Sequence, residues 1–146
     1  MIHDSHFWRK WLVAVYAVFF VFGLCLVVFP AATTQLFGLI LFGDSQRIAG
    51  WDGAVVSYIQ LIHAVLGAVI VAWAMIMLLI AIGWKSGRDT VNTHLLFISL
   101  MTWFVPDASY SLISGYWQNA VFNLAFVVPV NVGLLGLTKS SRKDHT

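Results

Sequence analysis

Four apolar stretches, Trp11–Phe29, Val55–Gly83, Leu95–Ser114 and Ala120–Leu137, account for most of this chain. Crossing the hydrocarbon core of a bilayer takes about 20 mostly apolar helical residues. In lipid a spanning segment must satisfy its own backbone hydrogen bonds, which leaves helices or a closed barrel. Stretches this long and this apolar read as helices. The expectation is an all-α fold: a four-transmembrane-helix bundle forming a single integral membrane domain over residues 1–146. Composition agrees, since only 10% of residues are charged against about 25% in soluble domains.

The connections refine this plan. Pro30 ends the first stretch, and AATTQLFGLILFG follows. That segment is too short to span, so it reads as interfacial or re-entrant, and Ala31–Gly53 is placed to act as a lid. The first stretch is apolar all round apart from Tyr16 and is expected to face lipid over much of its surface. In the second, Ala64, Gly67, Ala68 and Ala72 form a small-residue face suited to close helix approach. The loop GWKSGRDTVNTH is polar, with Asn92 or Thr93 able to cap the third helix. Pro106 and Pro129 fall inside the third and fourth helices, where a proline removes a backbone bond and kinks the helix. The tail KSSRKDHT is expected to be disordered or held at headgroups.

Basic residues set the orientation. Arg9 and Lys10, Lys85 and Arg88, and Lys139, Arg142 and Lys143 all fall on one side of a four-crossing chain, and Arg47 alone on the other. By the positive-inside rule both termini are expected to be cytoplasmic. Trp8, Trp11 and Trp84 mark the inner boundary, and Trp51, Tyr116 and Trp117 the outer one. The basic residues form no patch, so no nucleic-acid partner is expected. Cys25, the only cysteine, excludes an intrachain disulfide and a multi-cysteine metal site.

Polar residues within the stretches gather toward the outer face. Asp107 is the only acidic residue in a membrane stretch, and the chain has no glutamate. A charged Asp at the bilayer centre costs about 2.5–3.5 kcal/mol on insertion scales, so it is normally shielded, paired or protonated. Tyr110 and Ser111 follow it at helical spacing, and Trp103 sits one turn below. Gln60 and His63 share a face of the second stretch, and Asn119 and Asn123 stack at i+4 in the fourth. Packing of short-looped neighbours is expected to bring these faces together. The candidate ligand-binding set is Asp107, Tyr110, His63, Gln60, Trp103, Asn119 and Asn123. The plainer reading is that Asn and Ser are ordinary interhelical glue, averaging about 0.6 kcal/mol per bond.

Other chemistries find little support. His63 and His94 lie near opposite faces and cannot share a haem. His63 and Asp107 supply too few ligands for a metal site. No nucleophile–base–orienter set appears at helical spacing. A continuous pore is not expected either, because the inner half is apolar apart from Ser99, Thr102 and Asn131.

The pieces YIQLIHAVLGAVIVAWAMIML and WFVPDASYSLISGYWQNAVFNLAFVVPV resemble those of small bacterial integral membrane proteins, and the overall plan over residues 5–138 is similar to DoxX-like four-helix proteins. The resemblance implies a bacterial inner membrane and a four-helix fold; it assigns no catalytic residue and leaves the cofactor open. The leading functional expectation is a non-enzymatic accessory or interaction subunit. Its periplasm-facing polar site would take a lipid-like or aromatic ligand or a partner helix. Its partners would be membrane lipids and either further copies of itself or a larger complex. Two alternatives stand beside it: a membrane enzyme or redox helper acting on a quinone or lipid, with Asp107 in proton transfer and Tyr110 and His63 assisting, and a small oligomeric transporter.

Overall fold

The computed structural model describes the backbone of residues 2–83 and 90–143 and the side chains within 5–83 and 93–140. These described residues form five helices: α1 (Ile2–Val28), α2 (Pro30–Phe42), α3 (Gly53–Ile82), α4 (Thr90–Ile113) and α5 (Trp117–Lys143). No strand occurs among the described residues. The four long helices each carry a window long and apolar enough to cross a membrane. The 13-residue α2 does not, so the segment after Pro30 forms a short helix between two spans. Pro30 opens α2 at a position where its missing N–H costs nothing. Asp52 caps α3, its side chain accepting from the Ala54 amide at 2.9 Å.

Helix α1 presents an exposed side carrying Phe7, Val18, Val21 and Val28. It also takes a central place that was not expected: it lies between α3 and α5 and packs on both. Leu12, Tyr16, Phe19 and Leu26 are all buried. Small residues on the neighbouring helices make this possible. A Cβ on Gly67 of α3 would meet the Gly23 carbonyl oxygen at 2.6 Å, and one on Gly23 would meet the Gly67 carbonyl oxygen at 2.9 Å. The two backbones therefore touch where both lack side chains. On α5, Leu12 and Trp11 pack over Gly133, and Trp8 over Gly136. The Trp11 indole N–H also donates to the Pro129 carbonyl at 2.9 Å. Hydropathy averaged round a helix cannot reveal this role, because the partner's glycines decide it.

Three further differences concern ends and faces. The small-residue face of α3 is split: Gly67 is buried on α1, while Ala68 and Ala72 are exposed. Helix α5 runs on through Lys143, so the first part of the tail is helical rather than disordered, and Ser140 is buried. No breaker follows Leu137, and Trp8 packing on Gly136 anchors this end of α5 to α1. Helix α4 begins at Thr90, which places Asn92 and Thr93 inside it rather than at its cap. Residues 84–89 of the preceding loop, with Trp84, Lys85 and Arg88, lie outside the described residues.

Helix α4 packs on α5 alone to any extent; α3 and α4 do not pack along their lengths. Sequence adjacency predicted the opposite. The two helices instead form the walls of a cleft whose floor is α1 and α5.

Candidate functional site: a cleft between α3 and α4

A tight turn builds the polar end of this cleft. Just past the end of α4 comes Gly115, whose φ of +83° is left-handed. The Tyr116 amide donates to the Ser111 carbonyl at 2.8 Å, and the Gly115 amide to that of Leu112 at 3.2 Å. This pair of bonds is the Schellman arrangement. Helix α5 starts at once, at Trp117, so the turn fixes the register of the hairpin. Residues equally far before and after Gly115 then face one another: Ser111 opposite Asn119, and Asp107 opposite Asn123.

The side chains in these positions bond across the hairpin. Asn119 Nδ2 donates to Asp107 Oδ2 at 3.1 Å and to Ser111 Oγ at 2.9 Å. Asn123 Nδ2 donates to the same Asp107 Oδ2. Asn123 and Ser111 are buried; Asp107 and Asn119 are half-buried. The carboxyl group is thus met by two amides, with no Lys, Arg or His partner among the described residues. Its second oxygen, Oδ1, has no protein partner among them either.

Asp107, Asn119 and Asn123 open onto a cavity of about 460 Å³, within the size range of small-molecule sites. From α3 it is lined by Leu66, Val69, Ile70 and Trp73, and from α4 by Ser99, Thr102, Trp103 and Asp107. Its floor is aromatic: Phe19 and Phe22 of α1, and Phe122 and Phe126 of α5. Phe22, Phe122 and Phe126 pack as one cluster, with ring centroids 5.3–6.1 Å apart. Phe37 of α2 covers the Gly115 end, its ring 6.0 Å from Phe122. Trp73 reaches across the cleft and donates its indole N–H to Ser99 Oγ at 2.6 Å. The cavity is not closed over: Leu66 and Val69 on one wall and Thr102 on the other are exposed, within helix windows apolar enough to cross a membrane.

The seven candidate residues divide. Asp107, Asn119, Asn123 and Trp103 line the cavity. His63, Gln60 and Tyr110 do not. His63 Nδ1 lies 3.0 Å from the Thr34 hydroxyl, and its ring stacks at 4.9 Å on Phe37. It ties α3 to α2 and supports the ring that covers the cavity. Tyr110 is 74% exposed, turned away from the cleft. The expected convergence of three polar faces is therefore a pairing of two, α4 with α5, because α3 packs on α1. The cleft residues not singled out as ligand-binding were partly legible. On α4, Ser99 precedes Trp103 and Asp107 at four-residue spacing, and on α5, Phe122 and Phe126 share a face with Asn119 and Asn123. Trp73 gave no such signal.

Among the described residues no group of three His, Cys, Asp or Glu side chains is placed to hold a metal. Compared with known protein families, curated proteins and solved structures, the chain matches none. The DoxX-like resemblance gains no support from those comparisons. What stands is a helical bundle with four helices apolar enough to span a membrane.

Proposed function

We propose that this is an integral membrane binding protein whose α3–α4 cleft takes an amphiphile from the bilayer. The body of the ligand lies among the aromatic rings and its polar end at Asp107. The observation that carries this reading is the form of the cavity: about 460 Å³, with seven aromatic and three aliphatic side chains among its fifteen lining residues, Asp107, Asn119 and Asn123 gathered at one end, and exposed apolar residues at its walls. Few polar groups in an apolar pocket is the usual makeup of a small-molecule site. Binding is favoured over catalysis because Asp107 meets two amides rather than a second proton carrier, and Tyr110 points elsewhere. An accessory role, with the ligand presented to or held for another membrane protein, is consistent with this.

The seven-to-one distribution of Lys and Arg supports an orientation with both termini cytoplasmic and the Asp107 end on the opposite side of the membrane; placement in a bacterial inner membrane rests on the sequence resemblance alone. Exposed Ala68 and Ala72 offer a face for a second copy or a partner helix. The test of the binding reading is mass spectrometry of organic extracts from protein purified in mild detergent. A retained amphiphile in fixed ratio to the chain, depleted in Asp107→Ala, is the expected result. Extracts indistinguishable from bulk membrane lipid for both proteins would refute it.

A further inference from the structure

We infer that the amphiphile held in the cleft is a cation, an organic amine or ammonium with an apolar body. This rests on the reading of the cleft as an amphiphile site and adds the charge of its occupant.

Three observations converge. Asp107 is the sole ionisable residue lining the cavity, and its Oδ1 has no protein partner among the described residues. Among the side chains at that end, acceptors outnumber donors. Asn119 spends Nδ2 on Asp107 and Ser111, and Asn123 spends an Nδ2 hydrogen on Asp107. Their amide oxygens and Asp107 Oδ1 are three groups left to receive hydrogen bonds, against one remaining Asn123 N–H and the Ser111 O–H. The walls then add aromatic faces. Trp103 lies one turn from Asp107 on α4, and Trp73 of α3 stands with its ring centroid 6.2 Å from that of Trp103. Aromatic faces carry negative potential and attract ammonium groups.

The surrounding charge points the same way. Arg47, the sole basic residue of the α2–α3 connection, sits with its guanidinium 5.0 Å over the Phe42 ring. It does not line the cavity. An anionic head placed at Asp107 would meet a carboxyl group, acceptor oxygens and ring faces, with no cation to offset them. An ammonium would donate to Oδ1 and lie against an indole face. In low dielectric an intramembrane carboxylate and a bound cation each remove the other's desolvation penalty.

Binding of decylammonium, decanol and decanoate to the full chain in phosphatidylcholine nanodiscs tests this, with protein-free nanodiscs as the baseline. The chains match and only the head differs. Saturable decylammonium binding about tenfold tighter than decanol, with decanoate at baseline, is expected from the charge argument. Asp107→Asn keeps the shape and an acceptor for both amides, and is expected to bring decylammonium down to the level of decanol. Decanol or decanoate binding as tightly as decylammonium would overturn the charge assignment and leave the amphiphile site standing. No saturable binding of any of the three would overturn both. Undiminished preference for the cation in Asp107→Asn would overturn the role given to Asp107.

Discussion

Asn123 donates its side-chain amide to Asp107 Oδ2 across the α4–α5 hairpin, and the buried amide has no other protein acceptor among the described residues. Asp107 therefore holds α5 against α4 as well as facing the cavity. Asp107→Ala leaves the Asn123 amide without its acceptor and Asn119 with Ser111 Oγ alone. Leaving a buried donor unmet costs about 1–3 kcal/mol. Asp107→Asn keeps an acceptor oxygen and is expected to lose less. Thermal unfolding in detergent should rank wild type above Asp107→Asn above Asp107→Ala. Equal midpoints for all three would show that the amides do not depend on this side chain.

The Gly23–Gly67 contact yields a second expectation. Gly67→Leu forces a side chain into the α1 backbone, with the Gly23 carbonyl and Leu26 Cβ both 2.6 Å from the new Cβ. Overpacking of this kind costs about 1–3 kcal/mol or more. The expected effect is loss of folded protein, because this glycine is used within the chain. A stable Gly67→Leu protein whose size in detergent falls would instead assign the position to contact between copies.

Gly115 sets the register that pairs Asp107 with Asn123. Its φ of +83° costs an L-residue about 1–2 kcal/mol. Gly115→Ala is expected to lower the unfolding midpoint. Inserting one residue after Gly115 should do more, rotating α5 by roughly 100° relative to α4 at 3.6 residues per turn. An unchanged midpoint in the insertion variant would show that the turn does not fix the pairing.

Tyr16 carries a hydroxyl that is fully buried and has no hydrogen-bond partner among the described residues. Its ring packs on Phe19 and Trp73 at 6.0 and 6.4 Å. Removing an unmet polar group while keeping shape is neutral or stabilising. Tyr16→Phe is therefore expected to unfold at or above the wild-type temperature. A clear drop would reveal an acceptor for this hydroxyl.

The membrane architecture was legible because length and apolar composition alone decide whether a helix can span. The α4–α5 half of the site was legible too: Asp107, Asn119 and Asn123 sit at helical spacing on either side of a short turn, and a short turn makes neighbours of its helices. The α3 side was not. The contact that draws α3 away from α4 is a glycine of α1 meeting a glycine of α3. Neither glycine signals its partner. His63 accordingly pairs with Thr34 and Phe37 rather than with the polar residues of α4.

Occupancy of the cleft is the central claim, and blocking its mouth tests it most directly. Thr102 lines the cavity, is exposed within a helix window apolar enough to cross a membrane, and bonds only its own helix, to the Ile98 carbonyl at 2.8 Å. Thr102→Trp should fill the opening without disturbing the bundle. The measurement is the amount of co-purifying amphiphile per chain, by quantitative mass spectrometry, beside the unfolding temperature. Ligand falling to background at an unchanged unfolding temperature is the expected result. Wild-type ligand content in the blocked protein would contradict the account.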